Sequence, residues 1–159
     1  MVRIAILTMS DKGSKGERID ESGQVIKDMV KDIGDVLLYE VIPDEKELIK
    51  KKLIEYSEKV DLILTTGGTG LSPRDVTPEA TMEVIDRLIP GIAEAMRYEG
   101  LKRTPRAMLS RAVAGVRGKT LIINLPGSPR AVAENLEVIL PVIGHAIEKI
   151  QGDTSECAS

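Results

Sequence analysis

Two stretches of this chain carry residue types that could hold phosphate, and one of them also carries an acid. Residues 65–80 read TTGGTGLSPRDVTPEA and residues 125–130 read LPGSPR. Gly67, Gly68, Thr69 and Gly70 in the first, and Gly127 and Ser128 after the turn-setting Pro126 in the second, place bare backbone N–H groups just ahead of an expected helix start. Aligned peptide dipoles favour an anion at such a position. Neither loop matches GxxxxGKS/T or GxGxxG, so Walker-type and Rossmann-type designs lack their defining residues. Taken alone, GGTG could equally be a tight connection between a strand and a helix.

The acid is Asp75, next to Arg74. Two like charges about 4 Å apart repel by roughly 4 kcal/mol at an effective dielectric of 20, so a carboxylate beside a bound phosphate needs a cation between them. Mg²⁺ suits the position, because it takes oxygen ligands and is commonly held by one or two carboxylates together with substrate phosphates. Asp44, in the loop after the second expected strand, is a second carboxylate for the same metal, and Arg74 can neutralise a phosphate oxygen. Plainer roles are open to all three: Asp44 as a helix N-cap, Asp75 as the cap of a helix at Thr77-Pro78, and Arg74 as the partner of Asp75. His145 is the single histidine and lies between apolar positions of the last helix, a packing or surface residue; a Ser-His-Asp or Cys-His mechanism therefore has no base.

The elements that must position these groups can be read from apolar periodicity. Residues 3–9 (RIAILTM) and 60–66 (VDLILTT) are apolar runs with the length and β-branched content of buried strands, and 35–41 (DVLLYEV) reads as a further strand. Helical patterns follow at about 22–33, after Asp44, from Thr77-Pro78, from Pro90-Gly91 to about residue 99, and from Ser128-Pro129 onward. In the last of these, Val132, Leu136, Ile139, Ile143, Ile147 and Ile150 recur every three or four positions, and Pro141 predicts a kink. Residues 112–116 and 120–124 flank Arg117-Gly118-Lys119 as an antiparallel pair. The alternation predicts a single three-layer α/β domain over residues 1–153, with a mostly parallel sheet, helices on both faces and a short antiparallel edge pair, followed by a polar tail at 154–159. In such a sheet ligands bind beyond the carboxyl ends of the strands, so the loops after Ser10-Asp11, at 67–75 and at 125–130 should converge on one edge.

Composition narrows the partners. The chain has 159 residues, a net charge of -3 and three aromatic side chains, all tyrosine, so it offers neither a basic field nor stacking platforms for nucleic acid. No run approaches the ~18 apolar residues of a membrane span, and the N-terminal segment has no cleavage-site pattern, which predicts a cytoplasmic protein. The single cysteine, Cys157, can form no internal disulfide and is expected to be a free thiol in the tail.

The long block GGTG-x-x-x-RDVTPEA, together with IPDE at 42–45, TPRAMLSRAVAGVRGKTLIINLPGSP at 104–129 and QGD at 151–153, resembles the molybdopterin adenylyltransferases. That family includes the bacterial Mog and MoaB proteins and the G domain of plant and animal molybdenum-insertion proteins. The resemblance runs from about residue 3 to 153. It implies Mg²⁺-dependent transfer of AMP from ATP to the terminal phosphate of molybdopterin, with release of pyrophosphate. By the same resemblance Asp44 and Asp75 are the essential aspartates and metal ligands. Asp20, Gly67, Gly68, Thr69, Gly70, Pro126, Gly127 and Ser128 hold nucleotide, while Arg74 serves substrate phosphate and Ser110 lies toward the pterin. Gly100 stands where several relatives carry serine. A homotrimer and a hand-over to the metal-insertion enzyme are further implications. The alternative is a non-catalytic molybdopterin-binding or carrier protein of the same fold. Retention of both aspartates speaks against it, and the length of the chain leaves no room for the additional domains that accompany this fold in the insertase.

Overall fold

The computed structural model describes residues 1–154; Cys157 and most of the expected tail lie outside the described residues. Strands β1 (Val2–Met9), β2 (Gly34–Ile42), β3 (Leu62–Thr66), β4 (Arg87–Leu88), β5 (Ala114–Arg117) and β6 (Thr120–Leu125) form one sheet in the order β2-β1-β3-β6-β5-β4. The four strands β2, β1, β3 and β6 are parallel, with Ile4, Ala5 and Ile6 opposite Leu62, Ile63 and Leu64, and these in turn opposite Leu121, Ile122 and Ile123. The expected antiparallel pair is β5 with β6, turning at Gly118, whose φ of 58° only glycine adopts freely. The two-residue strand β4, too short to leave a periodic signal, pairs antiparallel with β5 and forms that edge.

Helices α1 (Asp11–Ser14), α2 (Glu21–Met29), α3 (Lys46–Ser57), α4 (Thr77–Val84), α5 (Pro90–Leu101) and α6 (Pro129–Ile150) complete the domain, with a 3₁₀ turn at Pro105–Leu109. Successive strand side chains point to opposite faces, so β1 divides its residues between two cores. Ile4 and Ile6 join Leu62, Leu64, Leu121 and Ile123 under α2 and α6, while Ala5 and Leu7 join Ile63 and Ile122 under α3 and α4. Both cores are aliphatic, as a chain without Phe or Trp requires. Each fully buried Leu or Ile contributes about 1.5–3 kcal/mol. The stripe Val132, Leu136, Ile139, Ile143 and Ile147 is the face that α6 buries, and the helix continues through Pro141.

The chain moves from β1 outward to β2, then crosses back over β1 to β3. Connections leave β1 and β3 toward different faces, which opens a crevice between their carboxyl ends. The loops starting at Ser10, Gly67 and Pro126 all emerge there.

Candidate active site

Gly67 and Gly68 turn the chain sharply out of β3, with φ of 94° and 70°. A Cβ on Gly67 would sit 2.4 Å from the carbonyl oxygen of Met9, and one on Gly68 would sit 2.3 Å from Thr77 Oγ1, so neither position accepts a side chain without rearrangement. The carbonyls of the loop are tied back into the protein. The Thr77 hydroxyl donates to Gly67 O (2.9 Å), Thr77 N–H to Gly68 O (3.2 Å), Arg111 N–H to Thr69 O (3.0 Å) and Arg111 Nε to Gly70 O (2.8 Å). With its acceptors spent internally, the loop has the disposition of one that presents donors to an anion. The second loop packs against it: the Cα of Gly67 is 3.6 Å from where a Gly127 Cβ would lie, and the Thr66 hydroxyl donates to Pro126 O (2.6 Å).

Asp44 does not cap α3. Glu45 holds the N-cap position, with no side-chain hydrogen bond. Asp44 instead exchanges hydrogen bonds with Asp11: the Asp11 N–H donates to Asp44 Oδ2 (3.1 Å) and the Asp44 N–H to Asp11 Oδ1 (3.0 Å). This leaves Asp44 Oδ1 buried with no hydrogen-bond partner, the one such side-chain atom among the described residues. It faces Gly68, whose Cβ would be 3.1 Å away. A buried polar atom without a partner costs about 1–3 kcal/mol, and such atoms in native structures call for a ligand or a function. Burial first, then the charge of Asp11 and more weakly that of Asp75, pushes the Asp44 carboxyl above its ordinary value.

Asp75 does not cap a helix either. Val76 is the N-cap of α4, and Thr77 is the first helical residue with its hydroxyl turned to Gly67 O. Asp75 Oδ2 accepts from Ser72 N–H (3.0 Å) and lies 2.9 Å from where a Gly70 Cβ would be. Arg74 pairs with Asp11 and not with Asp75, through Nε to Oδ2 (3.0 Å) and Nη2 to Oδ1 (2.7 Å), which holds the Asp11 carboxyl below its usual range. No group of three or more His, Cys, Asp or Glu among the described residues is arranged to hold a metal ion. Two carboxylates, one carrying a partnerless buried oxygen, fit Mg²⁺, which completes its shell with water and phosphate oxygens.

A cavity of about 830 Å³ opens on one side of the glycine loop, bounded by Thr8, Ser10, Asp20, Thr66, Gly67 and Ser128 among others. Asp20 caps α2, accepting from Gly23 N–H at Oδ1 (2.9 Å), while its Oδ2 accepts from the hydroxyls of Thr8 (2.7 Å) and Tyr39. Ser128 caps α6 as expected, its hydroxyl accepting from Ala131 N–H (3.2 Å). A second cavity of about 340 Å³ lies on the other side, bounded by Thr69, Gly70, Arg97, Arg106 and Ser110, and Ser128 lines both. Gly100 lines the second cavity too, and a Cβ there would be 2.8 Å from Ala107 Cβ, so its bareness lets α5 close on the 3₁₀ turn.

The structure thus gathers Asp44, Asp75 and the loops at 67–70 and 126–128 at one sheet edge, with Asp20 in the larger cavity and Ser110 in the smaller. Sequence reasoning did not pick out Asp11, Thr77, Arg97 or Arg111. Thr77 belongs to a helix-start pattern that gives no hint of its bond back to Gly67, and the others work through contacts outside any local pattern; Arg97, for instance, donates from Nη1 to the carbonyls of Ser110 (3.2 Å) and Ala112 (3.0 Å).

Residues 5–145 match the family described as "Probable molybdopterin binding domain". A molybdopterin adenylyltransferase of Helicobacter pylori is 43% identical over 160 residues, covering 96% of this chain and 89% of that protein. Gephyrin of Dictyostelium discoideum is 47% identical over 91% of this chain, which corresponds to 22% of that protein. The crystal structure of the molybdopterin biosynthesis enzyme MoaB from Thermus thermophilus superposes with a TM-score of 0.90 at 54% identity, covering 96% of this chain and 98% of that one.

Proposed function

Because the chain belongs to the molybdopterin-binding domain family of molybdenum cofactor biosynthesis, we propose that it is an enzyme transferring AMP from ATP to the terminal phosphate of molybdopterin. An oxygen of that phosphate bonds to the α-phosphorus of ATP, the bond between the α-phosphorus and the bridging oxygen breaks, and pyrophosphate leaves. Such a reaction needs no protein nucleophile; it needs two substrates held in line and their charge neutralised.

One observation carries this reading: two cavities flank the 67–70 loop and share Ser128, and between them Asp44 Oδ1 is buried without a partner beside Gly68 of that loop. The larger cavity suits the nucleotide, whose phosphates would lie along the 67–70 and 126–128 loops. The smaller one suits the pterin, with Ser110 in its wall and the arginines at 97 and 106 supplying positive charge. Asp44 and Asp75 would hold Mg²⁺, which when bound offsets the negative charge of the phosphates. Arg74, engaged by Asp11, steadies the loop that carries Asp75 and could serve phosphate only by leaving that partner.

The test is to incubate the protein with molybdopterin, ATP and Mg²⁺ and to look for adenylylated pterin and pyrophosphate. Both should form and both should vanish with EDTA. Bound molybdopterin without either product would leave a carrier and overturn the enzyme. In the same reading the protein is a cytoplasmic homotrimer that passes its product to the metal-insertion enzyme. Light scattering that gave the monomer mass of 17.3 kDa at micromolar concentration would reject the trimer.

A further inference from the structure

We propose that Arg111 is the positioning residue that fixes Asp75 relative to the wall of the smaller cavity, and so aligns the two substrates; this rests on the adenylyl-transfer reading. The Arg111 guanidinium spans a six-residue excursion from both ends. Its Nε donates to Gly70 O and its Nη2 to Asp75 O, each at 2.8 Å, while Nη1 reaches Glu79 Oε2 at 2.5 Å. Its own N–H donates to Thr69 O at 3.0 Å. The Nε and Nη2 edge, which commonly grips the two oxygens of one carboxylate, here grips two carbonyls that bracket the loop.

Between those two carbonyls the residues from Leu71 to Arg74 are exposed, so no core holds them in place. Within the excursion, Asp75 N–H donates to Ser72 O (2.9 Å) and Ser72 N–H returns to Asp75 Oδ2 (3.0 Å), which makes the turn a unit that moves as one. Arg111 ties both ends of that unit to the cavity wall, while Arg74 within it is tethered separately to Asp11 (2.7 Å). Arg111 holds Asp75 Oδ2 against the bare Cα of Gly70, where a Cβ would be only 2.9 Å away. Its neighbour Ser110 lines the smaller cavity, together with Thr69 and Gly70. One side chain therefore joins the loop bearing a candidate metal ligand to the wall of the candidate pterin site. A lysine ammonium has no planar fork and cannot reproduce the two carbonyl contacts while also meeting Glu79. The Glu79 arm is the dispensable one, because that pair is open to water, at 35% and 45% side-chain exposure, and surface pairs contribute little.

The experiment compares Arg111→Lys, Arg111→Gln and Glu79→Gln with the unsubstituted protein by two measurements. Amide hydrogen exchange on the free protein should speed up in the segment 69–76 of both Arg111 variants, with the sheet and α6 unchanged. In turnover, kcat should fall by about 10- to 100-fold, because displacement by about 1 Å costs on that order. KM for ATP and for molybdopterin should each stay within about threefold, and Glu79→Gln should stay within about threefold in every constant. Unchanged exchange in the loop, faster exchange throughout the domain, or a loss confined to KM of one substrate would overturn the proposal. If the unsubstituted protein transfers no AMP, the proposed function falls, whereas the exchange data still decide whether Arg111 holds the loop.

Discussion

Gly68→Ala is the substitution whose cost the structure specifies most fully. An L-residue in the left-handed region costs about 1–2 kcal/mol, and the φ of Gly68 is 70°. The new Cβ would also lie 2.3 Å from Thr77 Oγ1, a contact that must be relieved. Thr77 is fully buried and its hydroxyl donates to Gly67 O at 2.9 Å, so turning it away strands a buried carbonyl at about 1–3 kcal/mol. The sum is about 2–5 kcal/mol, and at about 2–4 °C per kcal/mol for a domain of this size the thermal midpoint should drop by about 4–20 °C. Gly118→Ala is the control for the backbone part alone: its φ is 58° and nothing lies within 4 Å of its Cβ position, so a drop of about 2–8 °C is expected. Combining Gly68→Ala with Thr77→Ala removes the clashing oxygen, so the double variant should lose less than the two single losses added together. Thermal unfolding followed by circular dichroism reads the four variants against the unsubstituted protein. A Gly68→Ala midpoint no lower than that of Gly118→Ala, or strict additivity with Thr77→Ala, would refute the packing of the loop on α4.

Asp75→Asn keeps an oxygen for Ser72 N–H but loses the charge, so turnover should fall by about 100-fold or more while the thermal midpoint moves by no more than about 2 °C; near-normal turnover would remove Asp75 from the metal. Asp44→Asn joined to Asp75→Asn should cost little more than the worse single change if both act as one unit, and fully multiplicative losses in steady-state rates would assign them separate roles. For Ser110→Ala, one hydroxyl to a phosphate or pterin is worth about 0.5–2 kcal/mol, so titration should show molybdopterin binding weakened by about 3- to 30-fold and ATP binding unchanged; equal losses for both ligands would exclude a pterin contact. At the far end of the sheet, Arg3 (Nη2 to Oδ1, 2.9 Å) holds the Asp61 carboxyl below its ordinary 3.8. Stability from a depressed carboxyl is present above the ordinary value and lost as pH falls through the depressed one. Midpoints measured below about pH 4 should therefore fall less steeply in Asp61→Asn than in the unsubstituted protein.

Local physics made much of this molecule legible before any coordinates. Continuous apolar runs marked β1 and β3 because a parallel strand inside the sheet buries both faces, and Ser128-Pro129 marked the start of α6 because a hydroxyl cap and a fixed φ suit a first turn. The glycine loop could be placed at a strand end for the same reason, by the run of β3 that leads into it. Charge logic and then family resemblance attached chemistry to Asp44 and Asp75, but their surroundings were beyond the reach of pattern. An N-cap and a metal ligand look alike in sequence, and the difference lies in which N–H the carboxylate meets. Asp44 meets that of Asp11, 33 residues away, and so leaves one oxygen buried and free. Arg74 finds its carboxylate 63 residues away instead of next door, and Arg111 finds its carbonyls 36 and 41 residues away. Apolar burial is a property of each residue and repeats with the period of the element that carries it, so it can be read along the chain. Hydrogen bonds between side chains and distant loops depend on which strand ends the sheet brings together, and only the packed tertiary structure decides that.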